Sequence, residues 1–136
     1  MISLTANEKI YNFIKDCGVF FYATSDEGKG RVRPFGAIFL LNDRLYFGMG
    51  KHKRSYAETE KNPYIEICAC KGGEWVRVRG RAVFDWSKET EEALFAQSPF
   101  LKQKYGPDSD LTHAAFYLEE MDADYNTMDG TCEKWA

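Results

Sequence analysis

The chain has 136 residues, 44% hydrophobic and 15% aromatic, with 18 Lys and Arg against 21 Asp and Glu and a formal net charge of −3. That length predicts one domain, 1–136, with a single core that needs neither disulfides nor metal. The slightly acidic balance weighs against general binding of nucleic acid through its phosphates, and no apolar run is long enough to cross a bilayer as a helix. Met1-Ile2-Ser3-Leu4-Thr5 lacks both the basic region and the apolar core of a signal peptide, so the expected compartment is the cytoplasm. Cys17, Cys68, Cys70 and Cys132 form no C-x-x-C pair and no zinc spacing, and they read as small buried hydrophobes.

Thr5-Ala6-Asn7-Glu8 has the pattern of a capping box. Ile10, Phe13, Ile14 and Cys17 follow at helical spacing up to Gly18, which predicts an amphipathic helix over 5–17. A strand over 19–24 leads into the turn Asp26-Glu27-Gly28-Lys29-Gly30. A second strand over 31–41 is interrupted by Pro34 and Gly36. Asn42-Asp43 is a hairpin signal that returns the chain along 44–49. A helix over about 52–61 ends at Asn62-Pro63. Strands over 64–70 and 74–86 are joined by Lys71-Gly72-Gly73. Ser87 caps a third helix whose Glu89, Glu91 and Glu92 suit its positive end. Pro99 opens a short turn through Tyr105, Gly106-Pro107-Asp108 is a loop that leaves His113 outside regular structure, and a last strand covers 115–128. Six strands with tight turns predict a mainly β fold, an antiparallel sheet closed into a small barrel with peripheral helices.

Three segments carry chemistry. In Gly48-Met49-Gly50-Lys51-His52-Lys53-Arg54-Ser55, an apolar strand runs into two glycines and then three cations at a helix start. Basic residues add to the positive end of a helix dipole and cost stability there unless an anion sits against them. The segment therefore reads as an anion pocket, with a phosphate as the obvious anion and the glycines as points of close backbone approach. In Arg31-Val32-Arg33-Pro34-Phe35-Gly36, proline cannot donate to a ladder and glycine packs nothing, so the strand holds a local gap that suits either a ligand or a protected sheet edge. In the strand from Glu74 to Arg81, Trp75, Arg77, Arg79 and Arg81 share one face. That face suits a subunit interface or single-stranded nucleic acid, and the acidic balance favours the interface. No nucleophile elbow, Cys–His pair or carboxylate pair with a clear role appears, so any chemistry falls to a cofactor.

Taken in order, Arg31 to Gly36, Leu45-Tyr46-Phe47-Gly48 with Lys53-Arg54, Asn62-Pro63 with the strand Ile65 to Cys70, and Gly73 to Gly80 resemble the pyridoxamine 5′-phosphate oxidase-like family of FMN-binding split barrels. The resemblance covers nearly the whole chain. It implies a six-stranded antiparallel split β-barrel that forms a homodimer with two FMN sites at the interface. Lys53 and Arg54 would bind the phosphate, with Lys51 and Gly50 beside them. Arg33, Pro34, Phe35 and Gly36 would run along the isoalloxazine ring, and Trp75 would approach from the partner subunit. The C-terminal stretch Asp129 to Ala136 holds no equivalent of the basic residues with which the longer oxidase takes its phosphorylated substrate. The expectation is therefore an FMN-dependent reductase of a small organic substrate, with NADH or NADPH as donor. The alternative is a flavin or haem carrier or sensor, since the family includes flavin reductases, nitroimidazole reductases and haem-degrading members.

Overall fold

The computed structural model describes residues 3–136; Met1 and Ile2, the start of the segment read as lacking a signal-peptide pattern, lie outside the described residues. The chain runs α1 (Ala6–Cys17), β1 (Phe20–Asp26), β2 (Lys29–Phe35), β3 (Ile38–Leu41), β4 (Arg44–Gly50), α2 (Arg54–Lys61), β5 (Tyr64–Lys71), β6 (Glu74–Phe84), α3 (Lys88–Gln97), α4 (Pro99–Tyr105), β7 (His113–Thr127) and β8 (Cys132–Lys134). The fold is mainly β, as expected, but the described residues form eight strands rather than six. The predicted second strand breaks at Gly36–Ala37 into β2 and β3, and the tail after β7 adds the short β8.

Turn chemistry sets the hairpins. Glu27 and Gly28 between β1 and β2, and Asn42 and Asp43 between β3 and β4, all have positive φ, the geometry of a two-residue turn that matches strand twist. Thr5 and Glu8 complete the capping box of α1. Thr5 Oγ1 also donates to Asp43 Oδ1 at 2.6 Å, tying the helix start to the β3–β4 turn.

All strand pairs are antiparallel, in the order β2-β1-β5-β6-β7-β4-β3, with β8 against the far end of β7. The sheet ends, β2 and β3, are not paired with each other, yet only Gly36 and Ala37 separate them in the chain. The sheet must therefore curl until its edges come together, which makes a barrel split along one seam. The core confirms the curl. Phe20 of β1 lies 5.7 Å from Phe47 of β4 between ring centroids, although three strands stand between them in the sheet. Tyr22 and Phe116 meet inside the same space. Helix α1 plugs one end of the barrel, burying Ile10, Phe13 and Ile14 against strands from both halves. Trp135 in the tail stacks on Tyr125 at 4.8 Å and meets Phe13 edge-on. A second, smaller cluster (Phe39, Tyr46, Leu94 and Ala115) holds α3 and α4 to the outside of β3 and β4.

The cysteines depart from expectation. Cys17 and Cys68 are half-buried, and Cys70 and Cys132 are exposed; all four are free. Cys68 and Cys70 share the face of β5 opposite the buried Ile65, Ile67 and Ala69, so strand alternation turns them away from the core. No helix among the described residues is long and apolar enough to cross a membrane.

Candidate functional site

The seam of the barrel opens into a cleft of about 900 Å³. One wall is β2 from Arg31 to Phe35, continued by Gly36 and Ala37. The floor is the end of β4, Gly48 to Gly50. The start of α2 supplies Lys53, Arg54, Ser55 and Glu58, and α4 supplies Phe100, Leu101, Lys104 and Tyr105 from the far side. Its volume lies within the range of small-molecule and cofactor pockets.

Local structure explains the wall. Because β2 is an edge strand, the missing N–H of Pro34 costs no ladder bond, and the sheet-edge reading of the segment holds. The gap itself falls two residues later, at Gly36. At Gly36 an added Cβ would meet only Gly18 O, at 3.9 Å, so backbone and open space face each other across the seam. The ligand reading and the edge reading describe two ends of one segment.

Helix α2 starts about two residues later than the sequence predicts, at Arg54. Lys51 and His52 form a turn, Lys53 is the N-cap residue with no side-chain cap bond, and the first turn carries no acidic residue. The cations around the cleft differ sharply in their partners. Arg33 bonds Glu58 Oε1 at 2.5 Å, Thr24 Oγ1 at 2.8 Å and Tyr22 O at 3.3 Å. Glu58 is only 8% exposed. The Thr24 hydroxyl, donating at 2.6 Å, and the Arg33 guanidinium hold its carboxyl below the usual range. Arg54 is 82% exposed and lies loosely against Asp26 at 3.6 Å and Glu58 at 3.8 Å. Arg31 shares Asp26 at 3.4 Å. Lys53 and Lys104 have no carboxylate within ion-pair distance among the described residues.

His113 is the residue that sequence reasoning misplaced. It begins β7, paired with Gly50, rather than lying in a loop. Its ring packs edge-on against Tyr105 with centroids 5.1 Å apart. Both ring nitrogens are buried without a hydrogen-bond partner, and burial pushes its pKa down to about 4. The imidazole occupies the space a side chain at position 48 would need, and an added Cβ on Gly48 would also come within 2.7 Å of Ala114 O. At Gly50 the same test meets Tyr105 Oη at 2.8 Å. The two glycines thus admit His113, Tyr105 and His52 over β4, a role in building the floor that the reading of close ligand approach did not include.

Of the residues expected around a cofactor, the structure gathers Arg33, Pro34, Phe35, Gly36, Gly50, Lys53 and Arg54 on one cleft. Lys51 is not among its walls; its ammonium lies over Trp86, 5.4 Å from the ring centroid. Trp75 sits on β6 between Cys70 and Asn126, also outside the cleft of its own chain. The sequence reading omitted Glu58, Lys104, Tyr105 and His113. Only Glu58, four residues after Arg54 on a helix, left a trace in the spacing.

The other expected face, on β6, is arranged differently. Arg77 pairs with Glu66 at 2.6 Å, and Arg79 with Asp122 at 2.9 Å and Asp124 at 2.8 Å. Arg81 pairs with Glu119 and, at 3.3 Å, with Glu120. Every arginine of the row is matched by carboxylates on neighbouring strands.

Comparison with known proteins adds the lineage. Over 96% of this chain and 94% of the other, the fold superposes on a NimC/NimA family protein from Clostridium acetobutylicum with a TM-score of 0.86 and 29% identity. A pyridoxamine 5′-phosphate oxidase-related, FMN-binding protein from Nostoc punctiforme shares the fold at a TM-score of 0.63 and 16% identity, over 87% and 78% of the two chains. A haem-binding protein from Mycobacterium smegmatis shares it at 0.71 and 15%, over 98% of this chain and 59% of that one. No curated protein matches the sequence. The family model described as pyridoxamine 5′-phosphate oxidase matches residues 6–135, nearly the whole chain, and the protein belongs to that family.

Proposed function

We propose that this chain is an FMN-binding flavoprotein, a cytoplasmic homodimer that acts as a reductase of a small organic substrate with a nicotinamide donor. The observation that carries the reading is the cleft itself. It is large enough for the cofactor and joins an acid-free helix start, with Lys53 unmatched, to an open backbone edge at Gly36. Lys53 and Arg54 would take the phosphate, aided by the positive end of α2. Arg54 reaches an anion by leaving its loose contacts with Asp26 and Glu58, whereas Arg33, fixed by Glu58 and Thr24, stays as part of the wall. Pro34, Phe35 and Gly36 would lie along the ring, with Gly50 at the floor. Trp75, outside the cleft of its own chain, and Lys51 would contribute only through the dimer or a rearranged turn. Bound there, FMN supplies hydride transfer, which the side chains around the cleft do not. The free cysteines suit a reducing compartment. The matched arginines of β6 leave little free charge for nucleic acid, in keeping with the acidic balance.

The test is the visible spectrum of the purified protein, followed by titration of FMN into the flavin-free form. Flavin bands and a Lys53→Ala/Arg54→Ala variant that folds but loses FMN affinity support the proposal. A Soret band would replace it with the haem carrier or sensor, and a double variant that keeps stoichiometric flavin would sink the phosphate assignment.

A further inference from the structure

The end of the cleft under α4 has polar groups that the FMN reading leaves unused. Lys104 lines the cleft with no carboxylate partner among the described residues. Tyr105 is 8% exposed, and its hydroxyl, which points over Gly50, makes no hydrogen bond among them. His113 has two partnerless ring nitrogens. Buried polar groups are almost always paired, so the two buried, unpaired nitrogens of His113, beside the unbonded Tyr105 hydroxyl and the exposed Lys104, point to a missing hydrogen-bond partner at this place. Beside them stand Ser98, whose hydroxyl accepts from Leu101 N as the cap of α4, and two apolar walls, half-buried Leu101 and Phe100, which is 69% exposed beside the opening.

We propose that the α4 end of the cleft is a subsite for a small aromatic carboxylate, whose carboxylate meets Lys104, Tyr105 Oη and His113 while its ring lies against Phe100 and Leu101. The charge balance favours an anion. The cleft is lined by five cations, Arg31, Arg33, Lys53, Arg54 and Lys104, and by the single carboxylate of Glu58. Glu58 neutralises Arg33, Asp26 serves Arg31 and Arg54, and a cofactor phosphate would occupy Lys53 and Arg54. Lys104 is then the cation left over. His113 is neutral near pH 7, since burial depresses its pKa, so it has one N–H to give. Its nitrogens are closed to solvent in this arrangement, and the ring reaches a ligand by rotating away from Gly48. That motion breaks no hydrogen bond, because the ring makes none. The inference names the substrate class of the proposed flavin site and rests on that reading for the occupant of the other end.

Benzoate is the probe, with benzamide as its neutral isostere, titrated calorimetrically into both the FMN-loaded and the flavin-free protein. Benzoate should bind at least about tenfold more tightly than benzamide. Lys104→Met should weaken benzoate about tenfold while leaving FMN affinity within about twofold, and Tyr105→Phe should weaken it about threefold. Equal binding of the two probes, or benzoate affinity indifferent to Lys104→Met, overturns the subsite. So does displacement of benzoate by inorganic phosphate, which would put it on Lys53 and Arg54. If FMN itself does not bind, the flavin proposal fails, and the flavin-free titration with the Lys104→Met variant still decides the subsite.

Discussion

Two sets of cations, one on the outer face of β6 and one around the cleft, use the same residue types to opposite ends. On β6, Arg77, Arg79 and Arg81 each find carboxylates on β5 or β7, so the charges of the row are matched, with Arg79 Nη1 alone buried without a partner among the described residues. Around the cleft, Lys53 and Lys104 find none, and Arg54 only touches two carboxylates already engaged elsewhere. Strand registry accounts for the first set: antiparallel pairing places Glu66 opposite Arg79 and Asp124 opposite Arg77, alternating sign across adjacent strands. A cluster of that kind contributes cross-strand cohesion. Unmatched cations at a helix start repel one another and the dipole, and they are tolerated where an anion completes them. Charge content is therefore a poor guide to function, and unmatched charge is a good one.

The contrast can be broken most severely at the cleft. The Lys53→Ala/Arg54→Ala variant should lose about 100-fold in FMN affinity, read by fluorescence titration, because two charge-assisted bonds vanish together. A variant that binds FMN as wild type does would erase the distinction between the two sets.

A second effect is acid sensitivity centred on His113. Its folded pKa of about 4 lies below the ordinary 6.5, so between those pH values the unfolded chain binds more protons. Stability from this residue is fully present above pH 6.5 and is lost as pH falls towards 4, by about 3 kcal/mol in total. Urea unfolding across that range should show the decline, and His113→Gln should flatten its share of it. An unchanged slope in the variant would contradict the burial of a neutral imidazole.

Glu58 sharpens the comparison from the other side, since it is the buried carboxylate that anchors Arg33 in the cleft wall. Glu58→Ala leaves Arg33 without its carboxylate and should cost about 2 kcal/mol by urea unfolding, below the figure for a fully buried pair because Arg33 is 24% exposed. Smallest of all, Arg77→Ala on the β6 face should change stability by no more than about 0.5 kcal/mol and leave FMN titration unaltered. A large flavin effect there would mean that the β6 row, and not only the cleft, reads the ligand.

Much of the architecture was legible from local patterns. The capping box at Thr5, the turns at Gly28 and Asn42-Asp43, the stop at Asn62-Pro63 and the cap at Ser87 all depend on residues within a few positions of one another. Alternation in β5 and β6 likewise puts Ile65 and Ile67, and Val76 and Val78, on one face of each strand, and those faces are the buried ones. Where the reading slipped, the deciding contact was distant. His113 looked like loop because two glycines some 60 positions earlier make the room that lets it begin a strand. The predicted strand over 31–41 split because its two halves pair with strands at opposite ends of the sheet, which no local pattern records.

The sequence by itself determined the β-rich class, the hairpins, the helix ends and the cationic start of α2, because backbone preference and side-chain periodicity act over a turn or a strand. Tertiary structure alone decided which cations are spent and which are free, and that His113, Tyr105 and Lys104 meet at one end of a cleft opened by the barrel seam. Those outcomes depend on the register of strands far apart in the chain, and burial and charge pairing exist only once the sheet has curled.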